Sequence, residues 1–185
     1  MSLVIAAISK DNDIVVCGEG RSLDVETDKI VSENMVKVHK INDSLIIGHA
    51  GYYNKFKLLI DYLITMYPKR DMWNVNNISS AALYYEQENT DIEGNLQFLV
   101  TGYENNGTPR LYVINVGQYK PFKFEFSKQK TVSIGDELCK LKFDKENDQI
   151  LEIENKIKTL IKERTKTNPA INDRIISEQI FCPLK

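Results

Sequence analysis

The chain has 185 residues, 42% of them apolar and 27% charged, with a formal net charge of −2. That length and balance suit one globular domain with a core of its own, residues 1–185, and no repeat, low-complexity tract or linker divides it. They give no electrostatic footprint for nucleic acid or an anionic membrane, and no apolar run approaches the ~20 residues of a membrane span. The first residues carry no basic-plus-apolar leader pattern. The three cysteines, Cys17, Cys139 and Cys182, form an odd set without metal-ligand spacing, and the two histidines are His39 and His49. These counts argue against a structural zinc site, lead to no expected metal or cofactor, and fit a reducing cytoplasm.

Leu3 to Ile8 is an unbroken apolar run, too short for a free helix, and reads as a strand buried on both faces. A polar turn follows at Ser9 to Asp13, then a second strand from Ile14 to Cys17, making a hairpin. It runs into Gly18-Glu19-Gly20-Arg21-Ser22, an acid and a base flanked by glycines. Residues 23–33 are polar and loop-like. A short strand at Val36 and Val38 ends in a turn at Asn42-Asp43. The apolar strand Leu45-Ile46-Ile47 then enters Gly48-His49-Ala50-Gly51, after which the pattern turns helical. Backbone N–H groups at such a strand-to-helix turn are natural anion or oxyanion donors, and Lys37 would add positive charge there. Read alone, the same residues are more simply a tight turn and a surface lysine, since Gly-x-x-Gly turns are common.

From Asn54 to Tyr67 the apolar positions Phe56, Leu59, Ile60, Leu63, Ile64 and Tyr67 fall at helical spacing. Asn54 is the expected N-cap and Pro68 the stop. Residues 69–77 read as loop, and a second helix is expected from about Ile78 to Glu88. Asn95 to Tyr103 is a strand, and Arg110 to Asn115 pairs back on it across a turn rich in Asn and Gly. Phe122, Phe124 and Phe126 alternate with Lys123 and Glu125 as a half-buried strand. Thr131 to Ile134 is a short strand ending at Gly135-Asp136. Ile150, Ile153, Ile157, Leu160 and Ile161 mark a long amphipathic helix, broken at Asn168-Pro169, and Ile175 to Cys182 forms a last strand. Two antiparallel sheets with helices packed outside, an α+β fold, satisfy this order.

Three segments in sequence carry a resemblance: LVIAAISKDNDIVVCGEGRS, NMVKVHKINDSLIIGHAGYYN and FLVTGYENNGTPRLYVINVGQ. The first resembles the opening hairpin and acid-x-Arg motif of the proteasome β-subunit family, the second its lysine strand and Ala-Gly turn, the third its later hairpin. The chain is similar also to the bacterial proteasome-like peptidase of the ATP-dependent two-component protease. The likeness is good over residues 2–135 and poor over 136–182. It implies an N-terminal-nucleophile hydrolase with a four-layer αββα sandwich of two antiparallel sheets. It further implies cleavage of peptide or amide bonds, with peptide or unfolded protein as substrate. A homo-oligomeric ring of six or seven members and an ATP-dependent unfoldase are the implied partners.

The resemblance also carries a site. The family's nucleophile matches Ser2, exposed once Met1 is removed. Its acid matches Glu19, its lysine Lys37, and the glycine of its oxyanion hole Gly51. Asp136 stands at the position of a family serine, and Asp173 and Ser177 match loosely the late pair that orients the N-terminal amine. The chemistry is coherent without the name. A serine hydroxyl needs a base, and an α-amino group with an unperturbed pKa of about 7.7–8.0 is one that needs no histidine. The Lys37 ammonium would favour the neutral amine and the developing alkoxide, and Glu19 would hold that lysine. Glu for Asp lengthens one arm by a methylene, and a carboxylate at Asp136 would raise the amine's pKa. Each residue also has a plain reading. Ser2 is then only the second residue, Glu19 an ordinary partner of Arg21 or Lys37 near the surface, Gly51 a turn glycine, His49 structural and Cys17 a core thiol. A catalytically inactive ring or scaffold subunit is the alternative at the level of function, and a small-molecule amidase outside any ring a third.

Overall fold

Six apolar residues in a row leave β1 (Leu3–Ile8) without a polar face, and all six are buried. The computed structural model describes residues 2–24, 26–89, 95–116, 122–126, 131–135 and 149–183. In it β1 lies inside a four-stranded sheet, paired antiparallel with β2 (Ile14–Glu19) on one side and β10 (Thr131–Gly135) on the other; β11 (Ile175–Ile180) adds to β2. The second sheet has the order β5 (Val38–Asn42), β6 (Leu45–Gly51), β7 (Leu96–Tyr103), β8 (Pro109–Val116) and β9 (Phe122–Phe126), again all antiparallel.

The period of two decides what each face meets. Val4, Ala6 and Ile8 of β1 join Ile14 and Val16 of β2 against Val38, Ile46, Leu99 and Val113 of the other sheet. Leu3, Ile5 and Ala7, with Val15 and Cys17, face the opposite way and pack on Ile153, Ile157 and Ile161 of α3 (Ile150–Thr165). The second sheet turns Ile47, Phe98 and Ile114 outward onto Phe56, Leu59 and Leu63 of α1 (Tyr53–Met66) and Ile78 and Ala82 of α2 (Val75–Glu88). The result is the expected four-layer αββα sandwich. At the end of the sandwich where β1 meets β2, the Tyr103 hydroxyl lies 2.8 Å from the Asn12 carbonyl and 3.1 Å from that of Ile180, joining the two sheets.

Local readings fail where a side-chain bond replaces a pattern. Residues 23–33 are not all loop: β3 (Ser22–Leu23) pairs with β4 (Ile30–Ser32). The turn between them is built by Asp24, whose Oδ1 accepts from the Thr27 N–H at 2.9 Å and the Thr27 hydroxyl at 2.8 Å, a polar device invisible to hydrophobic periodicity. Asn54 is not the cap of α1; the N-cap is Tyr52, without a side-chain bond. That end is fixed instead by the Tyr52 N–H donating to the Asn95 carbonyl at 2.9 Å. Helix α2 begins at Val75, three residues before Ile78, because Asn74 Oδ1 caps the Asn77 N–H at 2.9 Å. A short 3-10 turn, Arg70–Met72, occupies the expected loop before it. β11 stops at Ile180 rather than Cys182. The side chains of β9 lie outside the described residues, so the half-burial expected of Phe122, Phe124 and Phe126 does too.

Close approach of the sheets depends on what β2 lacks at Gly18. A Cβ there would stand 2.8 Å from Val38 Cγ2 and 3.3 Å from Val4 Cγ2. Gly18→Ala is therefore expected to destabilise the protein by about 1–3 kcal/mol through overpacking, read as a lowered midpoint of urea unfolding.

Candidate active site

Three chain segments meet where β1 begins and β2 ends. Glu19 closes β2 and is wholly buried; Lys37 immediately precedes β5 and is 2% exposed. The Lys37 ammonium donates to Glu19 Oε1 and to the Arg21 carbonyl. The same carboxylate oxygen accepts the Leu3 N–H at 3.2 Å, and Glu19 Oε2 accepts the Arg21 N–H at 2.6 Å. Every charge in this pair thus has a designated partner, which is the condition under which ions survive burial. Burial pulls the Lys37 ammonium below its ordinary pKa, and the Glu19 carboxylate pulls the other way.

Ser2 is half-buried and precedes Leu3, the residue whose amide ends on Glu19. It is therefore one peptide bond from the carboxylate oxygen that holds the lysine. Its carbonyl lies against Gly135, which has φ +92°; a Cβ there would fall 1.7 Å from Ser2 O and 3.2 Å from Ala50 Cβ. Ala50 leads directly to Gly51, at φ +110°, where a Cβ would fall 2.2 Å from the Asn95 carbonyl. Only glycine fits either place. The strand-to-helix turn is thereby brought beside the start of β1.

His49 is buried in the same turn region, stacked on Phe56 with ring centroids 3.8 Å apart and on His39 at 5.8 Å. Its backbone N–H donates to the Lys37 carbonyl at 3.0 Å and its ring Nε2 lies 3.3 Å from the Val36 carbonyl. Burial, with His39 and Lys37 adding to it, pushes the imidazole pKa down to about 3. It is neutral at working pH and acts as packing. Cys17 is a buried thiol pushed up to about 12, chiefly by burial.

The structure does not bring all the expected residues together. Ser177 pairs with Cys17 across β11 and β2, which turns it toward α3, and its hydroxyl donates to Glu154. Asp173 is exposed just before β11. Asp136 and Met1 lie outside the described residues. Glu19 is not a surface partner of Arg21: the guanidinium pairs with Glu33, Nε to Oε2 at 3.1 Å and NH2 to Oε1 at 3.0 Å. The backbone partners of the buried pair, Leu3 N and Arg21 O, have no sequence signature. Among the described residues, no group of three or more His, Cys, Asp or Glu is placed to hold a metal ion, and no helix is long and apolar enough to cross a membrane.

A family model for the proteasome subunit matches residues 3–127, more than half of the chain. The chain belongs to the proteasome subunit family. Among solved structures this proteasome-family fold is similar to the crystal structure of eukaryotic HslV from Trypanosoma brucei, with a TM-score of 0.65 over 97% of this chain and 99% of that one. Sequence identity is 17%, so this likeness speaks for the fold alone. No curated protein matches.

Two outcomes are expected. Lys37→Met leaves a carboxylate buried without its cation and should cost about 3–5 kcal/mol; adding Glu19→Leu to it should recover part of that loss in chemical unfolding. His49 supplies the second. An unfolded chain takes up its proton near pH 6.5, and the folded one refuses it until about pH 3. Stability should therefore fall as pH drops through that window, by up to about 1.4 kcal/mol per pH unit from this group. His49→Phe should flatten that slope when unfolding is compared at pH 4.5 and pH 7.

Proposed function

We propose that this proteasome-family chain hydrolyses peptide or amide bonds, with Ser2 as nucleophile once Met1 is removed and its own α-amine as base. The supporting observation is the shared Glu19 Oε1, which accepts from both the Lys37 ammonium and the amide next to Ser2. A buried cation is thus tethered to the head of β1, where a free amine and hydroxyl would stand. The α-amine takes the hydroxyl proton as Ser2 Oγ bonds to the substrate carbonyl carbon. The carbonyl π pair moves to oxygen, and the Gly51 N–H meets that charge. The ammonium then returns its proton to the leaving amine as the C–N bond breaks, giving an acyl ester at Ser2. Water, deprotonated by the amine, hydrolyses the ester and restores the hydroxyl. Lys37 keeps the amine neutral by like-charge repulsion and stabilises the developing alkoxide. Loss of one donor to such a centre costs roughly 3–4 kcal/mol of barrier.

The extra methylene of Glu19 does not slacken this arrangement, because both carboxylate oxygens are bonded to backbone N–H groups, of Leu3 and Arg21. The roles of Asp136 and Asp173 near the amine rest on the resemblance, as do a homo-oligomeric ring, an unfolded protein as substrate and an ATP-dependent unfoldase as partner. Ser177, turned toward α3, is left without such a role. The cytoplasm as location rests on the cysteine usage.

Intact mass spectra of the native protein, before and after an electrophilic peptide analogue, test the reading. The expected result is a chain without Met1, labelled once at Ser2, with no label in Ser2→Ala. Labelling should rise with pH with a midpoint below roughly 7.7, the value of a free α-amine. Retained Met1 together with no labelling would overturn the proposal and leave a non-catalytic subunit.

A further inference from the structure

Asn172 stands just before β11, is 5% exposed, and has no part in the mechanism above. Its Oδ1 accepts the Gly20 N–H at 2.9 Å. Its Nδ2 donates to the Glu33 carbonyl at 3.0 Å and to Glu33 Oε2 at 2.6 Å. Acceptor and donor therefore go to two different segments. The first, Glu19-Gly20-Arg21, supplies both acceptors of the Lys37 ammonium. The second, Glu33 to Lys37, supplies the lysine's own backbone.

Gly20-Arg21 and residues 33–37 lie just beyond the end of the β3–β4 ladder, whose last pair is Ser22 with Ser32. Past that end, and apart from the Lys37 ammonium itself, three bonds or pairs hold the two segments together. Met35 N–H donates to the Gly20 carbonyl at 2.8 Å, Arg21 pairs with Glu33, and the Asn172 amide bridges Gly20 to Glu33. Of these, the Asn172 bridge is the most buried and is anchored to a third element, β11. The Arg21–Glu33 pair is at the surface side, with Glu33 41% exposed, and such pairs hold geometry weakly.

We propose that Asn172 is a positioning residue for Lys37, setting the distance between the segment that receives the ammonium and the segment that carries its stem. Its catalytic consequence rests on the reading of Ser2 as nucleophile; its effect on Lys37 does not. The charge logic of the bridge makes it separable from simple packing. Asn172→Asp keeps the acceptor for Gly20, removes the donor, and sets a carboxylate against Glu33, whose acid form is already disfavoured by bonds from Arg21 and Asn172. Adding Glu33→Gln removes the like-charge clash and supplies a donor to the new carboxylate, while the bond to the position-33 carbonyl stays lost and Arg21 keeps one acceptor.

The test reads two quantities in the full chain. One is the rate of Ser2 labelling by an electrophilic peptide. The other is the NMR signal of the Lys37 ammonium in protein labelled with ¹⁵N at lysine Nζ, recorded also in a Ser2→Ala background. Asn172→Ala and Asn172→Asp should each slow labelling by about 10–100-fold at unchanged half-saturation, the scale of a misplaced catalytic group. Both should shift or broaden the Lys37 signal. Asn172→Asp with Glu33→Gln should recover part of the rate and move the signal back toward its parent position. If Asn172→Ala does not fold, the Asp variant and its rescue carry the test. A Lys37 signal indifferent to Asn172→Asp, or a double variant no better than the single, would overturn the inference. Absence of labelling in the parent protein, with the Lys37 signal still responding and rescued, would overturn the hydrolase reading and leave this one standing.

Discussion

A lysine and a glutamate, both taken out of water, set the terms for everything around them. In such surroundings each ion alone would cost several kcal/mol of lost hydration, and their mutual attraction offsets that only when the remaining lone pairs and protons are also met. Here they are: two backbone amides on Glu19, and the Glu19 carboxylate with a backbone carbonyl on Lys37. Meeting them requires the start of β1, the end of β2 and the approach to β5 to converge. The glycines at 18, 51 and 135 stand where that convergence leaves no space for a side chain. A well-packed apolar pair in the same place would in general be no less stable. Stability alone thus does not account for the charges; the chemistry proposed at Ser2 would.

The site is built from the margins of regular structure rather than from its middle. β1 and β2 are held by full ladders and by apolar contacts on both faces. The Glu19 and Lys37 side chains sit at or just beyond the strand ends, where backbone groups are free to bond side chains. This division lets a rigid core carry a group of polar residues whose positions depend on hydrogen bonds between distant parts of the chain, as Asn172 and Gly20 show.

Much of this was legible in the sequence, and for identifiable reasons. The unbroken run LVIAAI could only be a two-face-buried strand, and the 3.6-residue spacing from Phe56 to Leu63 could only be one face of a helix. Glu19 and Lys37 were legible through resemblance, since nothing in composition pairs residues 18 positions apart. What stayed hidden was set by single side-chain bonds: the Asp24 turn, the Asn74 cap, the anchoring of α1 on Asn95 instead of a cap at Asn54. Ser177 shows the limit of spacing as a guide. A one-residue difference in register on a strand decides which face a side chain takes, and Ser177 faces α3.

The two sheets are fastened differently at their two ends. One end is closed by the Tyr103 hydroxyl between carbonyls, within apolar packing. The other is closed by ions, whose attraction weakens in proportion to the dielectric that water brings. Water entering between the layers would weaken the attraction of the ion pair while rehydrating both ions, whereas the Tyr103 closure carries no charge to screen. The two ends of the sandwich therefore answer differently to salt and to local polarity.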